Sequence, residues 1–233
     1  MTTEIKEYKP LSRFTKIIYG TGDLGLASWG TLRQIFYAIF LTDVVGLEPR
    51  IASFAALVGV LWDAVNDPLV GVISDRVESR WGRRRPFLLI FSIPFGLAFL
   101  LMWWAPPWEN EYLLSVHITL AYIISDTLQT LVAVPFYTLT PEMTPDYDER
   151  TDLTTYRMFF NLVASLVLVV SAPMIRNTAI EAGFTLKQSY LLIAALFGGL
   201  GMLPFIPMFF VVRERHPKPS QNSPSLKEIL KTA

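Results

Sequence analysis

The chain has 233 residues, 52% of them hydrophobic and 17% charged, with a mean hydropathy of +0.40. Soluble domains carry charge on about a quarter of their residues, so composition argues against a water-soluble enzyme. Twenty basic residues offset twenty acidic ones, which leaves no basic excess for nucleic acid; with no cysteine and two histidines, His117 and His216, there is no thiolate, disulfide framework or H-E-x-x-H site.

A bilayer core about 30 Å thick needs roughly 20 mostly apolar residues per helix. Six stretches of that kind follow one another, at residues 17–41, 51–73, 87–104, 112–139, 154–175 and 189–212. The expected fold is all-α and polytopic: six transmembrane helices forming one bundle over 17–212, flanked by polar segments 1–16 and 213–233. The opening M-T-T-E-I-K-E-Y-K-P-L-S-R-F-T-K has no apolar run ahead of a small-residue cleavage site, so no cleaved signal peptide is expected.

Lysine and arginine set the orientation. Lys6, Lys9, Arg13 and Lys16 precede the first span, Arg76, Arg80, Arg83, Arg84 and Arg85 lie between the second and third, and Arg213, Arg215, Lys218, Lys227 and Lys231 follow the sixth. The opposite loops hold Arg50, Arg176 and Lys187. Both termini are therefore expected on the cytoplasmic side of an inner membrane, with Trp103, Trp104 and Trp108 in an aromatic belt at the outer interface.

Within the first span, Gly20, Gly22 and Gly25 match G-x-G-x-x-G. That fingerprint binds dinucleotides only between a strand and a helix N-terminus, and no strand precedes Gly20. Small residues also let membrane helices approach closely, a role that suits Ala194, Gly198 and Gly201 in the sixth span as well.

Six charged residues fall inside the spans: Asp23, Arg33, Asp63, Asp67, Asp126 and Arg157. Each is expensive in lipid unless paired or facing water, so together they predict a polar interior pathway. The sharpest group is W-D-A-V-N-D-P, from Trp62 to Pro68. Asp63 and Asp67 are one turn apart on one helix face. Two close carboxylates in low dielectric resist joint ionisation, so the pair either binds a proton or holds a cation. Hard cations take oxygen ligands, which the carboxylates and the Asn66 amide supply, and Pro68 weakens the helical ladder beside them. Depth alone predicts two ion pairs, Arg33 with Asp126 near mid-membrane and Asp23 with Arg157 nearer the cytoplasmic side. Pro94, Pro135, Pro173, Pro204 and Pro207 read as kinks that serve packing.

The W-D-A-V-N-D-P run and the following G-V-I-S-D-R-V-E-S-R-W-G-R-R-R-P resemble the glycoside–pentoside–hexuronide:cation symporter family (melibiose permease-like) of the major facilitator superfamily. Y-G-T-G-D-L-G, T-D-V-V-G-L, V-P-F-Y and Y-R-M-F-F extend the similarity over nearly the whole chain. The resemblance implies that Asp63, Asn66, Asp67 and Thr130 hold Na+, H+ or Li+. It also implies that Tyr137 and Arg157 line a sugar pocket. Two sugar-binding aspartates of the family fall on Ala27 and Ala133, but Asp23 lies one turn before Ala27 and Asp126 two turns before Ala133. The candidate substrate residues are thus Asp23, Arg33, Asp126, Tyr137 and Arg157. Asp75, Arg76, Gly82, Arg83, Arg84 and Arg85 resemble the superfamily's cytoplasmic gating motif; their arginines also serve simply to retain the loop in the cytoplasm and to touch anionic lipid.

Family members have twelve helices in two bundles with substrate bound between them, whereas six are read here. The L-K-E-I-L-K-T near the C-terminus resembles the loop ahead of a seventh helix. A truncated sequence, a split transporter and a half-size protein that pairs with itself are the competing explanations. The expected function is the N-terminal half of a secondary symporter coupling Na+ or H+ to sugar or glycoside uptake by alternating access. A lysolipid-type cation symporter and a non-transporting membrane interaction protein are the alternatives. No enzymatic activity and no cofactor beyond the coupling ion are expected; the expected partners are a small sugar or glycoside, membrane lipid, and a missing six-helix half or a second copy.

Overall fold

The computed structural model describes residues 10–77 and 79–215. Lys6, Lys9, Lys218, Lys227, Lys231 and the L-K-E-I-L-K-T segment lie outside the described residues. The helices are α1 (Arg13–Thr21), α2 (Asp23–Ile39), a π-helical turn (Phe40–Val45), α3 (Pro49–Arg76), α4 (Arg85–Met102), α5 (Glu111–Met143), α6 (Tyr147–Glu181), α7 (Leu186–Met202) and α8 (Phe205–Val211). Every regular element among the described residues is helical, as the composition predicts. α3, α4, α5, α6 and the run Leu186–Val211 are each long and apolar enough to cross a membrane.

The first expected span is not one helix but three consecutive segments. Gly22 stays in the right-handed helical region, φ −59° and ψ −30°, and its N–H reaches back to the Tyr19 and Gly20 carbonyls, which tightens the turn there. The cause is packing. A Cβ on Gly22 would lie 2.5 Å from Met208 Cε and 2.7 Å from Phe136 Cε2. At the far end the π turn stops at Gly46, whose φ of 87° is open only to glycine at little cost.

Several helices run past their apolar stretches because side-chain caps set their ends. Asn110 accepts the Leu113 N–H, Asp146 accepts the Glu149 N–H, and Thr185 forms a reciprocal capping box with Gln188. α6 therefore covers Tyr147–Glu181, where hydropathy marks only the middle. Polar turns at both ends project beyond the apolar core.

α5 packs on α3 and α4, α6 on α1 and α2, and α7 on α2, α4 and α6; α8 closes against α4 and α1. The three glycines of the apparent dinucleotide fingerprint each meet a different neighbour: Gly20 faces Tyr156 and Phe160 on α6, Gly22 faces Phe136 and Met208, and Gly25 faces Gly201 on α7. The close-approach explanation holds for all of them. Trp103 is a correction to the expected aromatic belt. It is fully buried and stacks on Tyr190, centroids 5.9 Å apart, because the end of α4 turns it into the core beside Tyr37 and Phe40. Trp104 and Trp108 remain exposed and flank the His117 ring edge-on.

Among the described residues, α3 and α6 present long exposed apolar faces. Phe54, Leu57, Val60 and Leu61 on α3, and Met158, Phe159, Leu162 and Leu166 on α6, are exposed.

Candidate functional site

The W-D-A-V-N-D-P run sits inside α3 where α5 comes close. Gly59 makes that approach possible, since a Cβ there would lie 2.3 Å from the Tyr122 ring. Trp62 Nε1 donates to Thr127 Oγ1 at 2.9 Å and fixes the rotation of α3 against α5. With that rotation Asn66 is buried, and its Nδ2 donates to Asp126 Oδ2 at 3.4 Å. Thr130 Oγ1 donates to Asp67 Oδ1 at 3.1 Å. Asp63 lies one turn earlier on the same face, and its Oδ1 is a buried oxygen with no hydrogen-bond partner. Pro68 has no N–H for the Ala64 carbonyl, which loses its helical partner.

Of the four residues expected at a cation, Thr130 and Asp67 are joined by a hydrogen bond, while Asp63 and Asn66 share a helix with Asp67, an exposed residue, and Asn66 turns to Asp126. Among the described residues no three His, Cys, Asp or Glu side chains gather to hold a metal ion. Two carboxylates, an amide oxygen and a hydroxyl form an oxygen-rich but lightly charged set. That chemistry fits a monovalent ion better than a tightly held divalent one. A buried carboxylate oxygen with no donor is the atom that such an ion, or a proton, would satisfy.

The expected pair of Arg33 with Asp126 does not form. Arg33 Nη1 lies 4.0 Å from Asp63 Oδ2 and hydrogen-bonds Tyr122 Oη, and its guanidinium sits 4.5 Å over the Trp29 ring. Depth in the membrane fixes height along a helix but not the direction in which a side chain leaves it. Asp126 instead takes the Asn66 amide.

The second depth-based pair does form. Arg157 Nε donates to Asp23 Oδ2 at 2.9 Å, with the Asp23 side chain 3% and the Arg157 side chain 18% exposed. Tyr137 Oη donates to Asp23 Oδ1 at 3.4 Å. The guanidinium lies 4.2 Å from the Tyr137 ring and 5.0 Å from the Phe136 ring, so cation–π contact holds it where its carboxylate partner leaves it open. Of the five substrate candidates, Asp23, Tyr137 and Arg157 thus form one group, while Arg33 and Asp126 adjoin the α3 carboxylates. Ala27 and Ala133 are buried methyl side chains and offer no carboxylate at the positions where the resemblance places the sugar-binding ones.

At the basic end of the bundle, Arg84 is buried and bonds both Asp75 and Ser74, the latter at 2.6 Å. Arg83 Nη2 donates to Glu142 Oε1 at 2.7 Å, and Arg84 Nε reaches the same oxygen at 3.4 Å. Arg85 bonds the Phe209 carbonyl through Nε at 3.1 Å, Gly82 turns at φ 104°, and Arg76 closes α3. Two residues of this network escape sequence reasoning. Glu142 at the end of α5 is buried beneath Arg83 and Arg84, and Glu214 accepts the backbone N–H groups of Arg83, Arg84 and Arg85 at 2.8, 2.8 and 3.2 Å. Glu214 thereby meets the positive end of the α4 dipole. The signal for both was an acidic residue just beyond an apolar run, within reach of an arginine cluster.

Residues 18–232 match the family described as MFS/sugar transport protein. The chain belongs to this family. It is 35% identical over 161 residues to the uncharacterized symporter sll1374 of Synechocystis, covering 67% of this chain and 30% of that protein. It is 35% identical to the sodium-dependent lysophosphatidylcholine symporter 1-A of Danio rerio, covering 68% of this chain and 30% of the relative. It is 27% identical to the isoprimeverose transporter of Lactiplantibacillus pentosus, covering 84% of this chain and 41% of the relative. The chain therefore spans less than half the length of these relatives, and its helices correspond to one bundle of a major facilitator fold.

Proposed function

We propose that the chain is the N-terminal bundle of a cation-coupled symporter, with Asp63, Asn66, Asp67 and Thr130 as the ion site. Asp63 Oδ1, a buried oxygen that no N–H or hydroxyl donor reaches on a side chain otherwise 35% exposed, with the exposed Asp67 carboxylate one turn away, carries the reading. A bound Na+ or proton cancels charge that is otherwise costly within the membrane, and so permits the bundle to reorient. Asp23, Tyr137 and Arg157 are the proposed substrate contacts, and Asp75 with Arg83, Arg84 and Arg85 the proposed gate on the cytoplasmic side. On this reading both termini are cytoplasmic, the membrane is the cell's inner one, and the segments 1–16, 17–212 and 213–233 are a cytoplasmic N-terminal segment, the bundle and a cytoplasmic central-loop segment. The exposed apolar faces of α3 and α6 suit lipid and a second six-helix bundle, either a separate half or another copy of this chain.

The proposed substrate is a sugar or glycoside, in keeping with the names of the family and of the isoprimeverose transporter. A lysophospholipid is the second reading. It is favoured by the buried Ala27 and Ala133, which deprive a sugar of its carboxylate clamp, and by the likeness to the lysophosphatidylcholine symporter. Uptake of labelled glycosides and of labelled lysophosphatidylcholine into proteoliposomes, with and without a Na+ or proton gradient, separates the two. Gradient-independent uptake, or uptake indifferent to Asp63→Asn, rules out ion coupling at this site. Counterflow by the purified monomeric chain would remove the need for a second bundle.

A further inference from the structure

Arg33 was expected to serve the substrate, yet it stands beside the α3 carboxylates. The Trp29 ring under its guanidinium is itself pinned, because Trp29 Nε1 donates to Ser125 Oγ at 3.0 Å. Tyr122 Oη takes its Nη1, and the Tyr122 ring lies 5.7 Å away. Against Asp63 the same Nη1 is 4.0 Å from the nearest oxygen, beyond the range of a seated hydrogen bond, and the Nε–H is buried with no acceptor. The guanidinium is therefore held mainly by aromatic partners on α2 and α5 and only loosely by the carboxylate. It cannot relinquish its charge by deprotonation.

We propose that Arg33 is a tethered positive charge that balances Asp63 when the ion site is empty and gives way when a monovalent metal ion enters. This rests on the ion-site reading of Asp63, and adds a competitor to it. The loose distance to Asp63 lets the side chain yield, while the Trp29 ring and the Tyr122 hydroxyl that already hold the guanidinium keep it tethered as it swings away from the carboxylate. Asp63 then faces a positive charge whether the site is empty or filled. Repulsion between Arg33 and the arriving ion lowers the site's affinity, and so favours release of the ion on the side where it is scarce.

The test is Na+ binding to the purified full chain by titration calorimetry, for wild type, Arg33→Gln, Arg33→Lys and Asp63→Asn. Arg33→Gln should bind Na+ about tenfold more tightly, since a like charge close to the site is removed. Arg33→Lys should restore wild-type affinity, and Asp63→Asn should abolish binding in either background. Simple loss of packing at Arg33 would weaken binding, not tighten it. Arg33→Gln binding no tighter than wild type, with wild-type binding still dependent on Asp63, overturns the role of Arg33 and leaves the ion site standing. Wild-type binding that ignores Asp63, or is absent, overturns the metal-ion site and this inference together. Trp29 emission gives a second readout that needs no Arg33 variant: Na+ should change the fluorescence of wild type, and Trp29→Phe should lose that change. A Trp29 signal indifferent to Na+ contradicts the displacement.

Discussion

Cutting the ion pair between Asp23 and Arg157 should destabilise the bundle by an amount that depends on which partner is removed. With Arg157→Met, Asp23 keeps its near-complete burial and only neutral hydrogen-bond partners, the Tyr137 hydroxyl at 3.4 Å and the Asn161 side chain. Removing one partner of a buried pair costs about 3–5 kcal/mol, because the remaining charge is left uncompensated. Asp23→Asn strands Arg157 instead, but its side chain is 18% exposed and faces the Tyr137 and Phe136 rings. That loss should be about 1.5–3 kcal/mol, the scale of a lost charged hydrogen bond. The double variant replaces both charges with neutral groups and should cost about 2 kcal/mol, well below the sum of the single changes. Equilibrium unfolding of the four proteins in bicelles measures the cycle. Additivity within about 0.5 kcal/mol would refute the coupling and with it the picture of a single buried charge pair.

Gly25→Val places side-chain carbon against backbone, since even a Cβ would lie 2.1 Å from the Gly201 carbonyl oxygen; Gly30→Ala meets open space. The first should cost about 1–3 kcal/mol by thermal unfolding and the second almost nothing. Gly82→Ala combines φ of 104° with a clash against Glu214, and should cost about 1–3 kcal/mol. Glu214→Gln keeps the shape but loses the charge that three backbone N–H groups share, so hydrogen exchange should accelerate at Arg83, Arg84 and Arg85 and nowhere in α6. Thr130→Val removes a proposed oxygen ligand and should weaken Na+ binding about tenfold, with Thr130→Ser restoring it.

Helix type and the spans from α3 onward were legible in the sequence because a lipid-spanning helix announces itself by length and hydropathy over many residues. The break at Gly22 was not, because it answers to Phe136 and Met208, more than a hundred residues away in sequence. Trp103 shows the same limit, since its burial depends on where Tyr190 and Phe40 pack and not on its place at the end of an apolar run. In the proposed site, helical spacing and residue chemistry singled out Asp63, Asn66 and Asp67, whereas Thr130 entered only through the family resemblance. The pair of Asp23 with Arg157 followed from depth, but the same rule failed for Arg33, whose orientation is set by Trp29 and Tyr122. Glu142 and Glu214 looked like ordinary polar residues at helix ends until the fold brought them under the arginines.

The most direct test is equilibrium binding of radioactive sodium to the folded chain, with proton uptake followed in parallel by a pH dye, for wild type, Asp63→Asn and Asp67→Asn. A saturable site for one ion or proton per chain, lost in both variants, is what the carboxylate pair predicts. Wild type that takes up neither, or variants that bind as well as wild type, would contradict it.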